Sequence, residues 1–398
     1  MYLTKEEEKM LNGEMGEVQE RMFRLLVRLG DIYNADKMIP VGSVQVAGVS
    51  YKSIGDPGTE FLEDISSKNT KVKVLTYLNP AGMDLENWNE IGFPKNFAKN
   101  QLKIINSFKK MGIVITSTCT PYLAGNLPRF REHIAWSESS AVSFSNSVIG
   151  ARTNREGGPS ALAAAICGKT ANYGLHLWEN RQPNIKIKLE TELCYNSDFG
   201  ALGYLVGKIV KNKIPYFTGI DNADTDQLKS LGAAMAASGA VALYHIDGLT
   251  PEADLVNKND LETINIGKKE LIDTYSKLNS NEKPDIVIFG CPHASLREIS
   301  SISEKLNGKK LKKPIWICTS RLMKEASDRM GYTDIIKKAG GQIVADTCMV
   351  VSPIEQMGFN KTGVNSGKAA NYLPGFCKQK VIFNNIDELI EASVWREE

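Results

Sequence analysis

The strongest constraint in this sequence is a repeated alternation of short apolar runs of strand character with segments of helical period. It is clearest in the last third, where strands are expected at 286–289, 315–318 and 342–345, with helices at 295–306 and 321–330 between them. Earlier strands are expected at 43–49, 72–78 and 113–117, with a helix around 96–111, and in the middle helices at 201–211 and 226–238 flank a strand near 241–244. Parallel neighbours need a crossover long enough to hold a helix, whereas antiparallel ones need only a hairpin. The alternation therefore predicts an α/β chain of parallel sheets covered by helices. Such sheets gather ligands in the loops beyond the carboxyl ends of their strands.

At 398 residues the chain exceeds one simple core and suits two or three packed α/β units. The expected divisions are 1–135, 136–265 and 266–398, the middle one rich in Gly, Asn and Arg, with 250–265 a linker or surface excursion. A helix opens the chain. Thr4 can cap it with Glu7 completing a capping box, Leu11, Met15, Val18, Met22, Leu25 and Leu29 make one apolar stripe, and Gly30 suits the position past its end.

Lys and Arg total 48 against 46 Asp and Glu, and the signs are interspersed. That mixture predicts neither a nucleic-acid-binding nor a membrane-binding surface. No apolar run reaches the length of a membrane span, and the first eight residues are too polar for a secretory leader, so a soluble cytoplasmic protein is expected.

Seven cysteines, an odd number at long irregular spacings and without any CxxC pair, argue against a disulfide framework and against the usual zinc patterns. Cys167 lies in an Ala-rich helical run and reads as a buried thiol, Cys194 has strand-like neighbours, and Cys377 has no chemical context. Cys119, Cys291, Cys318 and Cys348 each close an expected strand, where a thiolate would face the ligand crevice. Position alone leaves all four open as metal ligands.

Other strand-end loops carry polar groups suited to anions. Ser50, Lys52 and Ser53 follow the first strand, Asn79 the second, and Ser320 and Arg321 a later one. Arg152, flanked by Thr153, and Arg155 can fork onto a carboxylate or phosphate, Arg155 being as well suited to a structural pair with Glu156. The segment 361–368, ending at Lys368, reads as a glycine-relieved anion nest or a solvated basic loop, without Walker spacing. Among the histidines, His293 after Cys291-Pro292 is the candidate for touching a cofactor or protonating a leaving group, while His133, His176 and His245 read as structural.

Several of these stretches together resemble the large subunit of the aconitase X family: Ala47-Gly48-Val49-Ser50-Tyr51-Lys52, Ser117-Thr118-Cys119-Thr120-Pro121-Tyr122, Glu138-Ser139-Ser140-Ala141-Val142, the long 146–159 segment that begins Asn146-Ser147, Gly290-Cys291-Pro292-His293 and Asp346-Thr347-Cys348. The resemblance implies a fold like the first three domains of aconitase, with the site between domains. It also implies a separate small subunit that supplies the swivelling fourth domain. It selects Cys119, Cys291 and Cys348 as ligands of an iron–sulfur cluster, a [4Fe–4S] form with one open iron, and leaves Cys318 as the rival.

The chemistry implied is hydro-lyase chemistry: a free iron assists departure of a hydroxyl while a base removes the neighbouring proton. In aconitase-type enzymes that base is a serine of the swivelling domain, here expected on the small subunit. Stand-alone chains of the family are similar to archaeal enzymes that dehydrate (R)-5-phosphomevalonate to trans-anhydromevalonate 5-phosphate in a modified mevalonate pathway. This chain, ending at Glu398, fits that group. The alternatives are dehydration of cis-3-hydroxy-L-proline, an iron-sensing nucleic-acid binder, and a zinc or single-iron hydrolase.

Overall fold

The computed structural model describes residues 1–395 and contains three parallel sheets, each flanked by helices. In the first, Ser43–Val46 lies between Leu75–Leu78 and Ala135–Trp136. The second runs His245–Ile246, Pro215–Thr218, Ile185–Leu189, Thr263–Ile266. The third runs Gln342–Ala345, Ile315–Thr319, Ile286–Phe289, Lys361–Val364, Lys380–Phe383. A small antiparallel ladder joins Met38–Pro40 to Lys169–Ala171. The α/β architecture is therefore the expected one. Among the described residues no helix is long and apolar enough to cross a membrane.

In the third sheet the chain moves outward from Ile286–Phe289 in one direction, then returns to lay Lys361–Val364 on the opposite side of it. The strand order reverses there, the point at which parallel α/β sheets generally leave a crevice for ligands. Cys291 sits just past that strand.

The expected capping box on Thr4 and Glu7 is present, but the single opening helix is not. Lys5–Leu11 and Glu17–Ile32 are separate, because Gly13 and Gly16 adopt φ of 81° and 106° and turn the chain between them. Gly30 is not a helix terminator. It lies within the second helix, where an added Cβ would stand 3.1 Å from Ala171 Cβ, so its smallness serves close packing.

The segment 113–117 forms only a bridge from Val114 to Tyr77, and the strand near 241–244 is shifted to His245–Ile246. The stretch 250–265 is no linker, since its end enters Thr263–Ile266, an edge strand of the second sheet. Nor is 361–368 an anion nest: Lys361–Val364 is a strand, and Lys361 pairs with Glu282. Ala135–Trp136 and the helix Gly158–Cys167 pack with the first unit, Cys167 buried as expected in the helix's last turn.

Candidate active site

Three loops bring thiols together. The first follows Thr118, whose N–H is held by the Leu78 carbonyl at 3.0 Å, and delivers buried Cys119. The second follows Phe289 through Gly290, which has φ of 91° and no room for a side chain: a Cβ there would lie 2.0 Å from the Cys318 carbonyl oxygen. It delivers Cys291, also buried. The third turns at Asp346, with φ of 61°, and is pinned to the first unit by Ala81 N–H on the Asp346 carbonyl at 2.8 Å and Cys348 N–H on the Ala81 carbonyl at 3.1 Å.

These thiols feel one another. Burial is the largest cause that pushes Cys119 well above the usual thiol range and Cys291 up to about 12, with the neighbouring Cys348 contributing to both. Cys318 is fully buried, pushed up first by burial and then by Cys348, Cys291 and Cys119. The four strand-end cysteines are thus one neighbourhood. Cys194 is exposed, away at a helix start. Cys377, which had no context in sequence, lies with its sulfur 3.3 Å from Lys52 Nζ and donates to the Val350 carbonyl at 3.1 Å. Among the described residues no three His, Cys, Asp or Glu side chains converge closely enough to cage a single ion.

His293 ties the loops. Its N–H donates to Cys119 Sγ at 3.2 Å, Nδ1 lies 3.0 Å from Thr118 Oγ1, and Nε2 lies 2.8 Å from the Thr347 carbonyl. A carbonyl only accepts, so Nε2 carries the proton and Nδ1 accepts from Thr118. Burial lowers the ring's pKa to about 4, keeping it neutral. With both nitrogens engaged, the ring is built to hold loops rather than to protonate a leaving group. From the second unit, buried Lys229 donates to the His293 carbonyl at 3.2 Å and is balanced by Asp226 at 2.9 Å and by Glu298.

The expected anion-binding residues fare unevenly. Lys52 is closed onto Glu355 at 2.8 Å and the Ser352 carbonyl at 2.9 Å. Arg321 joins Asp84 at 2.6 Å and also meets Asp346, tying the first unit to the third. Lys368 is buried against Glu138 and the Ser140 hydroxyl. None of these three is a free cation. Ser50 donates to the Val351 carbonyl at 2.7 Å and caps Lys52 N–H, Ser53 is exposed on the following turn, and Ser320 caps the helix Arg321–Arg329.

Asn146, Ser147 and Thr153 are consumed locally. Asn146 Nδ2 donates to the Thr153 and Ala242 carbonyls, Ser147 Oγ accepts from Tyr244 N–H, and Thr153 Oγ1 accepts from Trp136 N–H. Asn79 and Arg152 keep open valences. Asn79 Oδ1 and Arg152 Nε are buried and without a partner among the described residues, although Arg152 Nη1 donates to the His176 carbonyl at 3.2 Å. Arg155 is exposed.

Sequence reasoning missed how charges pair behind these loops, and missed Arg181 altogether. Glu138 is buried, accepts from Ala141 N–H at 2.8 Å, and pairs with Lys368. Burial would raise its carboxyl, but the Lys368 ammonium and these hydrogen bonds leave it below the usual range. Lys368 in turn lowers Cys291 and Cys348, so a buried positive charge stands beside the thiols. Arg181, entirely buried, meets Glu252 at 2.8 Å and holds both the carbonyl and side chain of Asn146. Beyond its place in a stretch that resembles the family, the local signal for Glu138 is an acid directly before a Ser-Ser helix start.

Comparison with known proteins places the chain in one family of three-domain α/β proteins. Models of the aconitase X first, second and third domains match residues 1–179, 183–276 and 284–395. The phosphomevalonate dehydratase large subunit of Methanocaldococcus jannaschii is 60% identical, with 98% of this chain and 100% of that one aligned. The crystal structure of Thermococcus kodakaraensis aconitase X (holo-form) superposes with a TM-score of 0.93 at 47% identity, covering 99% of this chain and 100% of that one. The cis-3-hydroxy-L-proline dehydratase of Pseudomonas aeruginosa is 30% identical, and the match spans 69% of it.

Proposed function

Since the chain belongs to the aconitase X family, we propose that it acts as the large subunit of a hydro-lyase that dehydrates (R)-5-phosphomevalonate to trans-anhydromevalonate 5-phosphate. One observation carries the substrate choice: identity with a phosphomevalonate dehydratase large subunit is 60% across that whole chain, against 30% over part of a hydroxyproline dehydratase. Its partner in this reading is a small subunit bearing the swivelling domain and the serine base.

The donor set fits an iron–sulfur cluster. Several thiols share one buried neighbourhood but do not close on a point, which suits a group several atoms across better than a lone zinc or iron ion. Cys119, Cys291 and Cys348 would hold it, with Cys318 behind them. When bound, with one iron free of thiolate, it supplies a Lewis acid for departure of the substrate hydroxyl.

The chain's own residues prepare that chemistry. Lys368 offsets the negative charge of the thiolates, and Glu138 keeps Lys368 in place without leaving it an unpaired buried cation. His293 and Lys229 fix the spacing of the Cys119, Cys291 and Cys348 loops. Arg321 locks the turn before Cys348 onto the first unit. Among the named candidates that retain unused polar atoms, Arg152 could donate to the substrate's carboxylate or phosphate, and Asn79 Oδ1 could accept from its hydroxyl. Ser53, exposed in the first turn of the helix that follows the first strand, is a further candidate contact for an oxygen-rich substrate.

The test is anaerobic reconstitution with the small subunit. Expected are iron and sulfide in the large subunit, a cluster signal by electron paramagnetic resonance, and dehydration of phosphomevalonate but not of cis-3-hydroxy-L-proline. Iron-free protein with full activity would refute the cluster reading, and equal turnover of both compounds would refute the substrate.

A further inference from the structure

We propose that Tyr122 contacts the substrate in this site, its phenol hydroxyl donating a hydrogen bond to a substrate oxygen; the inference rests on the dehydratase reading above. Tyr122 lies in the short turn Pro121–Leu123, three residues past Cys119, and is only 7% exposed. Its ring stacks flat on Phe144, with centroids 3.9 Å apart and planes 9° from parallel, which fixes where the hydroxyl points.

That hydroxyl is buried and has no hydrogen-bond partner among the described residues. Phenylalanine would fill the same space without burying an unpaired polar atom, so packing alone does not account for a tyrosine. The titratable groups near enough to act on the hydroxyl are Cys119, Glu138, Asp226 and Tyr244, so it shares the neighbourhood of the first cysteine loop. The first three are already engaged: Cys119 by His293 N–H, Glu138 by Lys368 and Ser140, Asp226 by Lys229 and Ser295.

Burial first, and then Cys119 and Glu138, hold the phenol far above its usual range, so it keeps its proton and has it to donate in a hydrogen bond. The surrounding loop has the same character. Ser117 Oγ, Asn126 Nδ2 and, on the adjacent strand end, Asn79 Oδ1 are also buried without partners among the described residues. Open polar atoms gathered on strand-end loops beside a cofactor-sized thiol set are what a carboxylate- and hydroxyl-bearing substrate would satisfy.

The experiment compares wild-type and Tyr122→Phe large subunits, each reconstituted with the small subunit. Expected for the variant are unchanged iron and sulfide content, an unfolding midpoint no lower than wild type, and both kcat/KM and calorimetric affinity for phosphomevalonate weakened ~10-fold or more, the size of one lost hydrogen bond to a charged group. Wild-type kinetics in the variant would overturn the proposal, as would loss of iron, which would make the hydroxyl a support for the cysteine loops instead. An inactive wild-type complex overturns the dehydratase reading together with this inference. An active wild type with an unaffected variant overturns Tyr122 alone.

Discussion

Replacing Arg181 by Met tests whether the long polar segment that begins at Asn146 is held from behind by one buried cation. Arg181 has no exposed surface, and Glu252 beside it is 2% exposed at the side chain. Its guanidinium donates to Glu252 at 2.8 Å, to the Asn146 carbonyl at 3.0 Å, to Asn146 Oδ1 at 3.2 Å and to the Leu175 carbonyl at 3.1 Å. Removing one partner of a buried ion pair leaves the other charge unpaired, at a cost of about 3–5 kcal/mol. The abandoned carbonyls of Asn146 and Leu175 push the loss toward the upper end of that range. A domain's whole stability is only about 5–15 kcal/mol, so the effect is a large share of it. In urea, with a slope near ~3 kcal/mol per molar for a chain this long, the midpoint should fall by about 1 M or more. Tryptophan fluorescence and far-ultraviolet circular dichroism should report the same transition. Arg181→Lys should recover part of the loss, because one ammonium can reach Glu252 but cannot also fork onto Asn146. Removing both charges with Arg181→Leu and Glu252→Leu should be milder than Arg181→Met alone. A loss below about 1 kcal/mol in Arg181→Met, or a double variant worse than the single, would refute the argument.

Serine at Cys119, Cys291 or Cys348 should each reduce iron content after reconstitution, whereas Cys318→Ala should leave it near wild type; equal losses at all four positions would make Cys318 a ligand. Gly290→Ala should fold poorly, since its Cβ would stand 2.0 Å from the Cys318 carbonyl at a φ of 91°, and a soluble variant with full iron content would contradict that packing. His245 is buried, and burial lowers its pKa to about 4, so the unfolded chain takes up its proton first as pH falls below about 6.5. Its contribution is therefore complete above that pH and lost on acidification toward 4, roughly 3 kcal/mol in all; His245→Gln should flatten urea stability between pH 6.5 and 4, and an unchanged slope would exclude His245 as its source. Lys368→Met should lower iron retention, while Lys368→Met combined with Glu138→Gln should restore thermal stability more than iron content.

Strands such as Ile286–Phe289 and Ile315–Thr319 were legible because each carries a continuous apolar run, buried along its whole length within a parallel sheet. Lys361–Val364 was not, because a lysine, a threonine and a glycine in four positions read as a loop. Its place comes from register against Ile286–Phe289 and Lys380–Phe383, neither of which is near in sequence. The same holds in the site. A cysteine at a strand end announces itself, and the shared neighbourhood of Cys119, Cys291 and Cys348 follows from topology. The groups that support them do not announce themselves. Lys368 meets Glu138 across 230 positions and Lys229 meets His293 across 64, so the local pattern that marked Lys368 as a basic loop could not show its partner, and nothing local marks Lys229. The basic loops failed for the opposite reason. Lys52 and Arg321 look like free anion binders until Glu355, Asp84 and Asp346 arrive from distant segments and neutralise them.

The three thiols named as ligands do not belong to one folding unit. Cys119 is carried by a loop of the first sheet, and Cys291 and Cys348 by loops of the third, with contacts such as Cys348 N–H to Ala81, His293 N–H to Cys119 Sγ and the Arg321–Asp84 ion pair spanning the seam. A group held by all three would exist only while the seam is closed, so its binding energy would be spent on keeping the two units docked. Colour would then be a more sensitive gauge of that docking than secondary structure: substitutions at the seam, Arg321 among them, should bleach the protein while each unit is still folded.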